Sequence, residues 1–190
     1  MKRLDELEEL LNSPTSTVAQ LCGELASIFG VDITEVGLLR LDGHELRFVF
    51  PAELQVAGSI PLSSSAVASQ TAAGKTPELF NQFAQVPHHN LFESVKLHAS
   101  KEAAPPPPIQ KLMSAPILNE LNETLGVVQI SRKGATPQAA GPDFSTDDLE
   151  TLERVARRIA FLFPEILCLK QKNSTVKLRF ANTTAVKKKA

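Results

Sequence analysis

Three segments place apolar residues three and four positions apart, which is the spacing of an amphipathic helix. The first is 1–13, where leucines alternate with glutamates. The second covers 18–29 and is followed by Gly30, which we expect to end the helix in a left-handed conformation. The third begins at Ser145, which we expect to cap the helix together with Asp148.

Two stretches between the second and third helices have the pattern of paired β-strands. Residues 36–41 and 45–50 are apolar runs on either side of Asp42-Gly43, and an Asp-Gly step between such runs is a strong hairpin signal. From Leu112 onward the chain reads as a strand, a turn and a second strand, and a polar loop then leads to the third helix. This last order of elements constrains the fold more than any other segment does.

The region between the two hairpins has a mixed pattern. Residues 65–73 are small and predict a short helix, and 77–95 predicts a loose helical or irregular lid that is rich in phenylalanine. Residues 98–111 predict a linker in which Pro105 to Pro108 must be extended, as in polyproline II. Such a run can dock on a partner, but its composition favours a plain spacer.

The composition is that of one ordinary globular domain with extended ends. The chain has 190 residues, of which 43% are hydrophobic and 22% charged. No apolar run approaches the ~20 residues that cross a membrane, and the acidic N-terminal segment lacks the features of a signal peptide, so we expect a cytoplasmic location. Cys22 and Cys168 lie far apart in helical patterns, and we expect buried thiols rather than a disulfide.

Charge is distributed unevenly along the chain. Residues 170–190 contain seven basic residues and no acidic one, so the first 169 residues carry 13 basic against 21 acidic residues. Basic segments bind nucleic acid or anionic membrane surfaces through phosphate charge. No helix-turn-helix and no aromatic-interleaved basic sheet accompanies this one, so we expect a solubilising tail and no nucleic-acid partner. Within the tail, 175–180 could add an edge strand before disorder.

Four short motifs, taken in order along roughly residues 15–163, resemble the pattern of the GAF domain family. They are a proline-containing strand end followed by a small-residue helix, a proline in a later strand, a glycine-led apolar strand, and the cap of the last helix. In this sequence they are Ile60-Pro61-Leu62 with Gly74-Lys75, Pro116, Gly126-Val127-Val128-Gln129-Ile130, and Phe144-Ser145 with Asp148.

The resemblance implies an α+β, profilin-like fold with a central antiparallel sheet. Terminal helices would cover one face, and a ligand pocket would lie on the other face under a lid of short helices and loops at 63–95. The chain would then divide into an N-terminal helix at 1–13, a GAF-like domain at 14–169 and the basic tail at 170–190. Because terminal helices often form a dimer interface in this family, we expect a homodimer that the 1–13 helix extends.

The same resemblance bears on the ligand. Cyclic-nucleotide-binding members carry an Asn-Lys pair after the last strand and an Asp-Glu pair in the helix, whereas this chain has Arg132 and Leu149 at two of those positions. Nucleotide binding is therefore disfavoured, although Lys133 and Asp148 could still form the ion pair that ties loop to helix. Members that attach bilins or reduce methionine sulfoxide need cysteines near the pocket, and neither cysteine of this chain lies in that region.

Aromatic residues supply the main candidates for a ligand site. In a strand at 45–50, Leu46, Phe48 and Phe50 would share one face by the period of two. An apolar pocket with a few polar groups is the usual form of a small-molecule site, but these rings could equally close the core over that face. The candidate ligand-binding residues are Phe48, Phe50, Ser63, Ser65, Phe80, Phe83, His88, His89 and Phe92.

The sequence contains no convincing catalytic or metal-binding constellation. His88 and His89 could in principle ligate a metal, but adjacent histidines in a strand point apart and no cysteine or close carboxylate completes a set of ligands. We expect neither a metal nor a cofactor. The sequence thus favours a non-catalytic sensory or regulatory domain that binds a small molecule or a signalling partner protein. The alternatives are a pure dimerisation or interaction module with a filled pocket, and a reductase-like enzyme of the methionine-sulfoxide-reducing type.

Overall fold

The computed structural model describes residues 17–56, 58–83 and 107–161. Within them lie three helices, α1 (Val18–Phe29), α2 (Val67–Gly74) and α3 (146–161). The strands are β1 (Val36–Asp42), β2 (Glu45–Phe50), β3 (Ser59–Pro61), β4 (Glu78–Phe80), β5 (Ile109–Leu118) and β6 (Thr124–Lys133). They form one antiparallel sheet in the order β3-β2-β1-β6-β5-β4, which confirms the expected α+β architecture.

Both ends of α1 are fixed by local sequence. Thr17 Oγ1 accepts a hydrogen bond from the Gln20 N–H at 3.2 Å, and Gln20 Oε1 accepts one from the Thr17 N–H at 2.9 Å, which together make a capping box. The helix ends at Gly30, whose φ of 59° costs little in a residue without Cβ. The predicted glycine cap is confirmed.

Helix α3 also begins where the sequence predicts. Ser145 Oγ accepts a hydrogen bond from the Asp148 N–H at 3.1 Å, and Asp148 Oδ2 accepts one from the Ser145 N–H at 2.8 Å. Phe144 and Leu149, before and within the first turn, pack into the same core as a hydrophobic staple. These contacts set the angle at which the chain enters the helix.

Helices α1 and α3 cover the same face of the sheet, which we call the helix face. Their apolar stripes pack against alternate residues of the central strands, and each large side chain that is fully buried contributes about 1.5–3 kcal/mol. This core is the larger one among the described residues. Its largest fully buried side chains include Leu25, Val36, Leu38, Met113, Ile117, Ile130, Leu152 and Ile159.

The opposite face, which we call the α2 face, carries a smaller core. Leu39, Leu46 and Val127 point to this side from neighbouring strands, and Ile60 joins them from the edge strand β3. Alanines at 66, 68 and 72 face these side chains from α2 and the residue before it. Because alanine is small, α2 packs close to the sheet.

A β-bulge in the pairing of β1 with β2 overturns one prediction. Leu39 pairs with Phe48, but Leu38, the residue before it in β1, pairs with Phe50. Val49 is therefore an extra residue in β2. Phe48 therefore packs into the core of the α2 face, whereas Phe50 packs against the core of the helix face. The prediction that the apolar residues of this strand share one face is wrong for Phe50.

The segment after α2 also differs from prediction. An irregular lid is predicted over 77–95, yet Glu78–Phe80 is the edge strand β4 and pairs with β5. The β5 strand itself begins at Ile109, so Gln110 and Lys111 belong to the sheet and not to the predicted linker. The short helix predicted at 65–73 is present with slightly later bounds.

Several predictions fall outside the described residues. They concern the helix at 1–13, the lid residues His88, His89 and Phe92, and the tail at 170–190. Within the described ranges, none of the helices combines the length and apolar character needed to span a membrane.

Candidate functional site

Polar contacts hold α2 on its face of the sheet. Near the start of the helix, Ser69 Oγ donates a hydrogen bond to the Pro61 carbonyl at 2.8 Å and lies 2.9 Å from Ser64 Oγ. Near its end, Thr124 Oγ1 donates to the Ala72 carbonyl at 2.9 Å. Because alanines give α2 little apolar area to bury, such hydrogen bonds fix its position over the sheet.

A chain of polar side chains continues between α2 and the sheet. Gln129 Nε2 donates to Ser114 Oγ at 3.2 Å, Ser114 Oγ lies 2.8 Å from Thr71 Oγ1, and Thr71 Oγ1 lies 2.8 Å from Glu78 Oε2. A hydroxyl carries one hydrogen, so Thr71 donates to the carboxylate and accepts from Ser114. This polar chain therefore runs in one direction, from the amide of Gln129 to the carboxylate of Glu78.

The polar chain links a buried interior to a more open edge. Thr71 and Ser114 are fully buried, whereas Glu78 is half-buried on the edge strand β4. A buried hydroxyl without a partner costs about 1–3 kcal/mol, so each member depends on the next for its satisfaction. The half-buried carboxylate of Glu78 is the end of the polar chain that lies at the sheet edge.

Gly37 and Ser131 are small residues close to Gln129 on the same face. Gly37 pairs with Gln129 across β1 and β6, and a Cβ at Gly37 would lie 3.6 Å from the Gln129 Cβ. Ser131, two residues along β6, donates a hydrogen bond to the Glu35 carbonyl at 3.0 Å. The α2 face thus carries hydroxyl, amide and carboxylate groups where the helix face is apolar.

The structure distributes the predicted site residues over separate places. Phe48 is buried in the core of the α2 face. Phe80 and Phe83 lie together near the start of α2, with ring centroids 6.1 Å apart in an edge-to-face arrangement. Ser63 and Ser65 are exposed on the approach to α2. Among the described residues, these positions bring Phe80 and Phe83 together and leave Phe48 and Phe50 apart from them.

Cys22, the cysteine within the described residues, lies on the helix face and not on the α2 face. Cys22 is fully buried in α1 on the helix face, and burial raises the pKa of its thiol to about 12. A thiol reacts as the thiolate, so Cys22 is inert near neutral pH. Likewise, no group of three metal-ligating side chains occurs in the ranges that the structure describes.

Arg132 ties the end of β6 to the ends of both terminal helices. Its guanidinium donates to the Phe29 carbonyl at 3.0 Å and to the Gly30 carbonyl at 3.3 Å, at the C-terminus of α1. The same group lies over the Phe144 ring, 4.6 Å from its centroid, just before α3. The residue that departs from the nucleotide-binding pattern therefore has a structural role on the helix face.

The ion pair that Lys133 and Asp148 could have formed is absent. Lys133 Nζ donates to the Thr34 carbonyl at 2.7 Å, while Asp148 serves the cap of α3. Burial lowers the pKa of Lys133, and the carboxylates of Glu35 and Asp32 act in the opposite direction. That possibility is not realised because each of the two side chains is already occupied by its own neighbours.

Lys111 makes an ion pair that ties β5 to the loop before α3. Its buried ammonium contacts Asp143 Oδ1 at 2.6 Å and the Gly141 carbonyl at 2.6 Å. Burying a lysine is costly unless it is paired, and here a carboxylate and a carbonyl compensate it. The loop before α3 is thereby anchored to β5.

A sequence profile of the GAF domain matches residues 6–162, so the chain belongs to the GAF domain family. The GAF domain of an Acinetobacter phosphoenolpyruvate-protein phosphotransferase is similar with a TM-score of 0.63 and 11% identity, covering 90% of this chain and 98% of that one. The corresponding domain from Coxiella burnetii has a TM-score of 0.57 and 12% identity, covering 86% and 94%.

An enzyme structure is also similar to this chain. The free methionine-R-sulfoxide reductase from Neisseria meningitidis, solved in complex with its substrate, has a TM-score of 0.60 and 18% identity, covering 87% of this chain and 89% of that one. Fold does not define function, and at these identities the likenesses show the fold alone. No curated protein matches the sequence.

Sequence reasoning missed the polar chain altogether. Ser114 and Gln129 are polar residues inside strands that otherwise read as apolar, and Thr71 is a polar residue on the buried side of a small-residue helix. Because buried polar groups need hydrogen-bond partners, a polar residue inside each of the apolar strands β5 and β6 indicated a buried polar contact. Nothing in the sequence pairs them with each other, however, because the contact between Thr71 and Ser114 spans 43 positions.

Proposed function

We propose that this chain is a non-catalytic sensory or regulatory GAF domain that binds a small molecule on its α2 face. The observation that carries the proposal is the polar chain, which places directional hydrogen-bonding groups on one face and ends in a half-buried carboxylate. A few convergent polar groups in apolar surroundings are the usual form of a small-molecule site. Among the described residues, the opposite face is covered by the apolar side chains of α1 and α3.

The positions of the nucleophilic side chains support binding rather than chemistry. Cys22 is separated from the α2 face by the sheet and keeps its proton near neutral pH. The hydroxyls of Thr71 and Ser114 are fully buried and engaged with one another, and no histidine contacts them in the described part of the chain. An activated serine or cysteine needs an adjacent base and access to substrate, and neither condition is met there.

A thermal-shift screen of the full chain against nucleotides, amino acids and small metabolites tests the proposal. A ligand at a hundred times its Kd stabilises a protein by about 2.7 kcal/mol, which is a melting shift of several degrees for a chain of this size. Two Gly→Ala variants locate the site. Gly37→Ala adds a methyl beside Gln129 on the α2 face, whereas Gly23→Ala adds one on α1, and both new Cβ atoms would meet only ordinary contacts.

The proposal predicts that a stabilising metabolite binds Gly37→Ala more weakly than the parent chain and binds Gly23→Ala equally well. The same preparations are assayed for reduction of free methionine-R-sulfoxide with a thiol reductant. Flat melting curves for every compound, or turnover that depends on one of the chain's cysteines, would contradict a non-catalytic binding domain.

A second candidate is a pure interaction module, and one observation favours it. Phe48 is buried among Leu39, Leu46 and Ile60, so this part of the α2 face is filled by the protein itself. In this case the screen stays flat and the chain is captured by a partner protein instead. Binding of a metabolite that Gly37→Ala weakens would exclude the alternative.

We also propose a homodimer through the terminal helices. Phe161 in the last described turn of α3 is 68% exposed, and packing its ring against a second copy would remove that apolar surface from water. Light scattering after size exclusion gives the mass directly. Phe161→Asp should lower the mass to that of a monomer, while Leu121→Asp, at an equally exposed apolar position in the β5–β6 turn, should not. A dimeric Phe161→Asp variant would refute this interface.

A further inference from the structure

Glu78 is a carboxylate without a cationic partner in the described part of the chain. Its Oε2 accepts the hydrogen bond from Thr71, and Oε1 has no hydrogen-bond partner among the described residues. Lys75, the lysine nearest to it in sequence, directs its ammonium to the Asn122 carbonyl at 2.8 Å instead. The polar chain therefore ends in a negative charge that the described protein does not neutralise.

An aromatic pair lies on the same side of β4. Glu78 and Phe80 point to the α2 face, because Leu79 between them packs into the core of the helix face. Residues two apart on a strand are about 7 Å apart, so the two side chains leave β4 on the same side. Phe83 supports the Phe80 ring edge-to-face, which holds the orientation of the ring.

A carboxylate beside an aromatic face is the chemistry that recognises an organic ammonium group. The ring face is electronegative and attracts a cation that has shed part of its water, and the carboxylate supplies the opposite charge. Thr71 and Ser114 hold the carboxylate before a ligand arrives, which reduces the entropy lost on binding. The same charge repels phosphate and carboxylate ligands.

We propose that Glu78 and Phe80 form a subsite for the alkylammonium group of the ligand. The inference rests on the proposed function and narrows it, since it selects cationic or zwitterionic amines from among small metabolites. Oε1, which has no hydrogen-bond partner among the described residues, is the atom that would accept the ammonium or contact its methyl groups.

The test is an NMR titration of the ¹⁵N-labelled full chain with choline and with n-butylammonium. The neutral isostere of choline, 3,3-dimethyl-1-butanol, is the matched control ligand. Glu78→Gln removes the charge but keeps an oxygen that can accept the Thr71 hydrogen bond, and Phe80→Leu removes the ring but keeps an apolar side chain. Glu120→Gln, at an exposed carboxylate in the β5–β6 turn, is the matched control variant.

We expect saturable amide shifts in β4 and in the paired part of β5 with at least one ammonium probe and not with the isostere. Glu78→Gln should weaken the binding by about tenfold or more, as expected for the loss of ~1.4 kcal/mol of interaction with a partly desolvated cation. Phe80→Leu should also weaken it, and Glu120→Gln should leave it unchanged. The subsite is refuted if neither ammonium saturates, if the isostere binds equally well, or if Glu78→Gln binds as the parent does.

Failure of this subsite differs visibly from failure of the proposed function. If a metabolite from the screen binds the parent and Glu78→Gln equally, the binding domain stands and the ammonium subsite is refuted. If ammonium binding depends on Glu78 but the chain also turns over a substrate, the subsite stands and the non-catalytic function is refuted.

Discussion

Replacing Arg132 tests whether one side chain holds the terminal helices to the sheet. Its guanidinium makes two hydrogen bonds to the carbonyls of Phe29 and Gly30 and lies 4.6 Å from the centroid of the Phe144 ring. Those carbonyls belong to the C-terminus of α1, where a positive charge is also favoured by the helix dipole. Arg132→Met keeps most of the stem and removes the charge, the hydrogen bonds and the contact with the ring.

The magnitude follows from these contacts. Hydrogen bonds that involve a charged group contribute about 1.5–3 kcal/mol each when buried, and because Arg132 is only half-buried the pair is worth about 2 kcal/mol. The cation–π contact adds about 0.5–1 kcal/mol. We therefore expect Arg132→Met to lower the free energy of unfolding by about 2–3 kcal/mol. Arg132→Lys should recover part of this loss, since lysine keeps the charge but not the planar fork.

Urea denaturation followed by circular dichroism measures the change. Arg154→Met is the matched control, because Arg154 is exposed on α3 and, among the described residues, its guanidinium contacts the nearby Thr151 hydroxyl at 3.1 Å. The control should change stability by less than about 0.5 kcal/mol. If Arg132→Met proves no more destabilising than Arg154→Met, the contacts at the end of α1 do not hold the helix face together.

Three further predictions concern the core. Gly134→Ala should lower the free energy of unfolding by about 1–3 kcal/mol, because the new Cβ would lie 2.6 Å from the backbone nitrogen of Ala140. In the same urea denaturation, Gly23→Ala should be neutral or stabilising. Equal stabilities of the two variants would refute the close approach at Gly134. Burial raises the pKa of the Cys22 thiol from 9.0 to about 12, so the contribution of the buried thiol to stability is complete below pH 9 and is lost as pH rises toward 12. Over this range the free energy of unfolding should fall more steeply with pH for the parent than for Cys22→Ala. In a double-mutant cycle, Thr71→Val and Ser114→Ala should show a coupling of at least about 0.5 kcal/mol, and strict additivity would disprove the polar chain.

The elements that local sequence controls were predictable. The caps of α1 and α3 are built from residues three positions apart, and the β1–β2 hairpin turns at an Asp-Gly step, so short-range chemistry determines them. The order of these elements was also enough to indicate the family.

The errors all involve contacts between distant parts of the chain. Phe50 changes face because of a bulge, and a bulge depends on the partner strand rather than on the alternation within β2. Glu78–Phe80 is too short to have a strand pattern of its own and is a strand only because β5 pairs with it. Lys133 and Asp148 have compatible charges, but each is nearer to a different partner in space.

The candidate site was the least predictable part. Phenylalanines attracted attention because aromatic residues are conspicuous in a sequence, yet Phe48 is a core residue. The polar chain depends on hydrogen bonds between α2, β4, β5 and β6, which only the folded arrangement brings together. Single polar residues in apolar strands are the signal to search for in similar chains.

Hydrogen–deuterium exchange of the full chain with its most stabilising metabolite tests directly whether the α2 face binds a small molecule without turning it over. We expect slower exchange in α2, β4 and the paired part of β5 when the metabolite is bound, with the metabolite recovered chemically unchanged. It is contradicted if protection appears only in α1 and α3, or if the metabolite is recovered as a reaction product.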